Sequence, residues 1–127
     1  MYNKPVILTN NDMAEGVYAA SGCFTVTWNI HQRPEVGRGD YRIQVNAQHS
    51  ASHTCTEQYL TITFNQTVTF KECGAASIDG SASGTVIRLT RRNFANGNDN
   101  IGFGDVVVES DAGLSVISMV VTDNGMN

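Results

Sequence analysis

The strongest constraint on this fold is an alternation of apolar and polar residues that recurs along the chain. Every second side chain is apolar in residues 23–30, CFTVTWNI, and again in residues 41–48, YRIQVNAQ. Because successive side chains of a strand point to opposite sides of a sheet, this pattern gives each strand one apolar face. No window keeps the i, i+3, i+4, i+7 spacing of an amphipathic helix for three turns. The chain is therefore predicted to be all-β.

Nine strand segments follow from the alternation, separated by clusters of Gly, Asn and Asp. They are residues 5–9, 16–21, 23–30, 41–48, 59–64, 67–72, 84–91, 104–109 and 113–122. Many short strands without a helix favour a β-sandwich, and we predict a jelly-roll-like arrangement of two antiparallel sheets. A chain of 127 residues suits one core, so residues 1–127 are predicted to form a single domain.

The segment 59–70, YLTITFNQTVTF, allows two structures. Its apolar side chains share one parity: Leu60, Ile62, Phe64, Val68 and Phe70. A two-residue hairpin loop at Asn65 and Gln66 would place the apolar sets before and after it on opposite faces. We therefore expect either a three-residue loop over 65–67 or one long uninterrupted strand.

Composition and charge exclude some functions. Only 16% of the residues are charged and the net charge is -4, whereas nucleic-acid binding needs clustered Lys and Arg. No apolar run approaches the roughly 20 residues of a membrane span, and the first residues lack the apolar stretch of a signal peptide. The chain is then either cytosolic or a piece of a larger secreted protein. Its richness in Thr, Ser, Asn and Gly favours the secreted, extracellular origin.

The acidic residues do not indicate an enzyme. Six of the twelve carboxylates, namely Asp12, Glu35, Asp40, Asp79, Asp99 and Asp111, lie in predicted turns, where Asp and Glu are common. Asp105 and Glu109 could share one strand face, but about 13 Å would separate them, beyond the roughly 5–10 Å of a glycosidase pair. The sequence contains no nucleophile elbow, HExxH motif or phosphate-binding loop. We therefore expect a non-catalytic protein.

Three cysteines, Cys23, Cys55 and Cys73, allow one disulfide and one remaining thiol. Cys55 and Cys73 flank the long segment described above, and we predict that they pair. His49, His53 and Cys55 are potential zinc ligands within seven residues. A structural zinc site takes four ligands, and the sequence offers no fourth, so a polar loop is the expectation here.

The loop 96–105, NGNDNIGFGD, is a candidate calcium site. Calcium binds several oxygen ligands, and the alternating Asn residues resemble the first ligands of a calcium loop. The candidate ligands are Asn96, Asn98, Asp99, Asn100 and Asp105. A turn rich in left-handed conformers would explain the same residues, so both interpretations stand.

The polar side of the strand 41–48 carries a row of hydrogen-bonding side chains: Arg42, Gln44, Asn46 and Gln48. Alternate residues lie about 6.6 Å apart, so the row forms a ladder of donors and acceptors. A neutral amide can both donate and accept, which matches a sugar hydroxyl, and Arg adds a planar fork. Aromatic rings that could stack on a sugar are Trp28, Tyr59 and Phe103, although Trp28 shares the parity of a core face.

The segments GDYRIQVNAQ, YLTITFNQTVTF and the Gly/Asn loop entering DVVVES resemble the β-sandwich carbohydrate-binding modules of bacterial plant-cell-wall hydrolases. The resemblance covers most of the chain in length and texture, without a specific motif. It implies a non-catalytic, monomeric module of a multidomain enzyme that binds a polysaccharide. A single Trp disfavours crystalline cellulose and favours single β-1,4-linked glucan chains such as cello-oligosaccharide, β-glucan or xyloglucan. The alternative is a structural or adhesive β-sandwich, such as a pilus, capsid or surface-layer subunit.

Overall fold

Antiparallel strands account for most of the structure, a computed structural model that describes residues 17–18, 24–34, 39–49 and 54–124. The eight strands are β1 (Val17–Tyr18), β2 (Phe24–Gln32), β3 (Gly39–His49), β4 (Cys55–Cys73), β5 (Ser77–Ile78), β6 (Ser83–Ala95), β7 (Asn100–Ser110) and β8 (Val116–Asp123). The described residues contain no helix, and hence none that could cross a membrane. The prediction of an all-β antiparallel sandwich is confirmed.

Strand β4 joins the two layers of the sandwich. The strands are ordered β1-β2-β3-β7-β4-β6-β5, and β8 also pairs with β4. The first part of β4 pairs with β6 and β8, whereas its last residues, 69–73, pair with β7. One layer therefore contains β1, β2, β3, β7 and the end of β4. The other contains β5, β6, β8 and the beginning of β4.

The segment 59–70 forms part of one uninterrupted strand, which confirms the second of its two predicted structures. Asn65 and Gln66 do not form a turn because they bind the loop between β7 and β8. The Asn65 side chain donates to Gly113 O at 3.0 Å and accepts from Ser115 N at 2.8 Å. Gln66 Nε2 donates to Asp111 O at 2.7 Å. The polar pair therefore closes a neighbouring turn instead of making its own.

The core lies between the layers and is built from the apolar faces that the alternation predicts. In β3 the odd-numbered residues from 41 to 49 are buried, while the even-numbered ones are exposed or half-buried. The largest fully buried side chains come from both layers: Tyr41, Phe24, Phe64, Phe103, Ile43, Leu60, Ile62, Ile87, Leu89, Ile101, Leu114 and Met119.

The strands differ from the predictions at several points. β7 begins at Asn100 and not at residue 104, because the Gly-rich segment pairs with β3 through a bulge at Val45 and Asn46. The short strand β5 was not predicted. The predicted strand 5–9 and most of 16–21 lie outside the described residues.

Candidate functional site

The outward side chains of β2, β3 and β7 form one continuous polar surface, which we call the polar face. Its strands are held in register by the antiparallel pairs Thr27 with Asn46, Asn29 with Gln44, and Gln44 with Asp105. Directly paired residues point to the same side of a sheet. The polar face comprises Thr27, Asn29, His31, Arg42, Gln44, Asn46, Gln48 and Asp105. The predicted row on β3 is its centre.

A charged cluster forms one end of the polar face. His31 Nε2 lies 2.9 Å from Asp105 Oδ1, and Arg42 Nη1 lies 3.6 Å from Asp105 Oδ2. The other end of the guanidinium lies 4.0 Å from Glu72 Oε2. These side chains are at least one-third exposed, so the pairs add little stability. One carboxylate therefore lies near each terminal nitrogen of the Arg42 guanidinium.

A cleft of about 340 Å³ adjoins this cluster, where the end of β4 meets β7. Arg42, Glu72 and Asp105 supply its charged groups, and the apolar Val107 lies among them. The guanidinium can donate to a ligand while both carboxylates can accept from one. The cleft therefore offers paired donors and acceptors beside an apolar contact.

At the other end of the polar face the amides are already engaged. Asn46 Nδ2 donates to Asn100 Oδ1 at 2.7 Å, and Asn100 Nδ2 donates back to Asn46 Oδ1 at 3.1 Å. Gln48 Nε2 donates to the backbone oxygen of Asn98. These two members of the predicted row therefore have protein partners.

The middle of the polar face is different. Asn29 and Gln44 are exposed and lie directly opposite one another on β2 and β3. Neither side chain forms a hydrogen bond to another described residue. Two open amides thus lie side by side between the Asn46–Asn100 pair and the charged cluster. They are the groups best placed to bind a ligand with hydroxyl groups.

The structure corrects the expected positions of the aromatic rings. Trp28 is 8% exposed and Phe103 is 0% exposed, and both pack in the core between the layers. Phe103 is buried because it belongs to β7 and not to a loop. Neither ring presents a face to solvent, so neither can stack on a sugar in this structure.

Tyr59 lies on the outer surface of the second layer, on the far side of the core from the polar face. It pairs with Thr90 of β6 and Thr122 of β8. Its hydroxyl donates to Glu57 Oε1 at 2.6 Å, which raises the Tyr59 pKa because ionisation would lose that bond. The same surface carries Phe94, which is 62% exposed. Sequence reasoning missed Phe94, although its parity with the exposed Arg88 and Arg92 was a usable signal.

The five candidate calcium ligands each have a partner within the protein. Asn96 and Asp99 close a tight turn, in which Asp99 N donates to Asn96 O and Asn96 N donates to Asp99 Oδ2. Asn100 binds Asn46, and Asp105 binds the charged cluster. The backbone oxygen of Asn98 accepts from Gln48. The turn interpretation accounts for these contacts, and the calcium site stays a prediction.

The predicted disulfide is also corrected. Cys55 and Cys73 are both thiols, at opposite ends of one strand. An extended strand of that length separates its ends by about 60 Å, whereas disulfide-bonded Cα atoms lie within about 7 Å. Cys73 Sγ donates to Phe103 O at 3.2 Å, and burial raises the pKa of this thiol. Cys23 lies outside the described residues.

A second group of reactive side chains lies at the end of the sandwich where β3 and β8 finish and β4 starts. His49, Cys55 and Asp123 place their ligand atoms within 4.8 Å of one another. The sequence analysis noted His49 and Cys55 but missed Asp123, which no local spacing connects to them. His53 lies outside the described residues.

No protein-family model matches the chain, and no curated protein matches it either.

Proposed function

We propose that this chain is a non-catalytic domain that binds a single polysaccharide chain along the polar face. The observation that carries the proposal is the pair of open amides, Asn29 and Gln44, beside the cleft that contains Arg42. In this arrangement the two amides bind hydroxyl groups, and the Arg42 fork and the Asp105 carboxylate bind the next sugar unit.

The corrected positions of the rings narrow the kind of binding that we propose. Without Trp28 or Phe103 on the surface, affinity depends on hydrogen bonds, each of which replaces a bond to water and contributes about 0.5–1.5 kcal/mol. Binding should then be weak, with a Kd of roughly micromolar to millimolar. A flexible glucan chain, such as β-glucan or xyloglucan, suits such a surface better than a crystalline one.

Affinity gel electrophoresis against soluble polysaccharides tests the proposal. We expect β-glucan or xyloglucan to retard the wild-type chain, and the double variant N29A/Q44A to lose about tenfold or more of the affinity. Tyr59→Ala is the matched control, since it removes an outward side chain from the other layer and should leave retardation unchanged.

Three outcomes would overturn the proposal. No retardation by any polysaccharide, with a folded chain, would refute binding, and concentration-dependent oligomerisation would then favour the structural or adhesive alternative. Loss of retardation in Tyr59→Ala but not in N29A/Q44A would place the site on the second layer. Release of reducing sugar by the purified chain would replace the non-catalytic assignment with a hydrolase.

A further inference from the structure

Three buried side chains with metal-binding groups meet at one end of the sandwich, apart from the polar face. His49 ends β3, Cys55 begins β4 and Asp123 ends β8. The His49 side chain is 0% exposed, that of Asp123 is 7% exposed, and Cys55 is 3% exposed. Buried ionisable groups are costly unless they are paired or bind a metal, so this cluster needs a physical explanation.

The orientation of His49 suits a metal ligand. Its Nδ1 lies 3.3 Å from the backbone oxygen of Asn96, which can only accept, so Nδ1 carries a proton. Nε2 faces Asp123 Oδ2 at 3.5 Å. A neutral imidazole would present its lone pair to a carboxylate, and two acceptors repel. A cation between the two groups would be bound by both.

The surroundings of Cys55 favour the cation. Gln58 Nε2 donates to Cys55 Sγ at 3.3 Å, and the same nitrogen donates to Asn93 O at 2.8 Å. Gln58 is fully buried, so its amide is fixed as a donor toward the sulfur. A metal-bound thiolate is stabilised by such an outer-shell donor, just as a metal-bound His is oriented by a carbonyl on its other nitrogen. Both features are present here.

We propose that His49 Nε2, Cys55 Sγ and Asp123 form a binding site for a divalent transition metal ion, with zinc as the preferred ion. Nitrogen, thiolate sulfur and carboxylate oxygen are the three ligand types of zinc. Zinc bonds of about 2.0–2.3 Å at tetrahedral angles imply separations between ligand atoms of about 3.4–3.6 Å. The His49–Asp123 distance of 3.5 Å already fits, and the widest separation, within 4.8 Å, requires a contraction of about 1 Å. Three protein ligands leave the fourth position to water or another ligand.

The backbone around the site holds the three ligands in place. Asn124 follows Asp123, and its side-chain oxygen Oδ1 accepts from Thr56 N and Glu57 N at 3.0 Å each. These two bonds tie the end of β8 to the start of β4. His49 N donates to Asp99 O at 2.9 Å, which fixes the end of β3 against the β6–β7 turn. A bound ion would therefore connect β3 of one layer to β4 and β8 of the other, and its binding free energy would add to folding stability.

Cobalt(II) absorption of the purified full-length chain tests the site, after dialysis against a chelator. We expect one equivalent of cobalt to give a near-ultraviolet thiolate charge-transfer band and visible bands of tetrahedral intensity, and one equivalent of zinc to abolish both. Zinc should also raise the unfolding midpoint. Cys55→Ser should lose the charge-transfer band, and Asp123→Asn, which nearly preserves side-chain volume, should weaken cobalt binding about tenfold or more.

The controls are Cys73→Ser and His31→Ala, which remove a thiol and a His outside the cluster and should leave the cobalt spectrum unchanged. The wild-type titration decides the question even if a ligand variant fails to fold. A folded wild-type chain that shows no cobalt–thiolate band and no stabilisation by zinc would overturn the proposal. A band that persists in Cys55→Ser would also overturn it.

Discussion

Replacing Trp28 with alanine separates a core role from a binding role for the single tryptophan of the chain. Only 8% of Trp28 is exposed, so folding removes nearly all of its roughly 250 Å² of side-chain surface from water. At about 25 cal/mol per Å², that burial contributes about 6 kcal/mol. The alanine side chain retains a small part of this buried surface, so the expected loss of unfolding free energy is about 3–5 kcal/mol.

This loss is large for a chain of 127 residues, whose total stability should be about 6–19 kcal/mol. With a urea dependence of about 2 kcal/mol per molar, the urea midpoint should fall by about 2 M. Far-ultraviolet circular dichroism should follow the transition, because the substitution removes the tryptophan fluorescence. Tyr59→Ala, an outward substitution, should shift the midpoint far less. An unchanged midpoint in Trp28→Ala together with lost polysaccharide retardation would refute the core assignment.

Three smaller predictions follow from local features. Gly104 has φ +72°, so Gly104→Ala should lower the unfolding free energy by about 1–2 kcal/mol in a urea titration. Gly97→Ala is the control: its Cβ would meet no atom within 4 Å, so it should lower the unfolding free energy less. The Tyr59 pKa is raised chiefly by its hydrogen bond to Glu57, so Glu57→Gln should lower it, as measured by NMR titration; no change would contradict this cause. Burial raises the Cys73 pKa, so alkylation of this thiol near pH 8 should be slower than alkylation of an unburied cysteine. The rate, followed by mass spectrometry, should still increase with pH above the ordinary thiol pKa of about 8.5. Equal rates at pH 8 would argue against burial of the sulfur.

The strand pattern was predictable because it depends on local burial. In β3 each residue is inside or outside according to its parity, so the row from Arg42 to Gln48 could be placed on a surface from the sequence alone. The same reasoning predicted that the apolar residues on either side of Asn65 share one face. The parity of the residues does not show which strand pairs with each edge of β3.

The errors come from interactions between distant segments. Gly102 and Gly104 suggested a loop around Phe103, but they accommodate a bulge where β7 pairs with β3, and the strand buries the ring. Cys55 and Cys73 looked like the two ends of a closed loop, but the segment between them forms one uninterrupted strand. Asp123 reaches His49 through the pairing of β8 with β4, which leaves no spacing signal in the sequence.

The membership of β4 in both layers determines where the chain can tolerate being opened. Asn65 and Gln66 have the composition of a surface turn, yet a cut or insertion between them would separate the β7-paired half of β4 from the half paired with β8. The two layers would then no longer share one continuous strand. Residues 79–82, between β5 and β6, lie in bends outside the strands, so new termini or a grafted loop there would leave β4 intact. Variation in length should therefore accumulate at such bends and be excluded from the most turn-like dipeptide of β4.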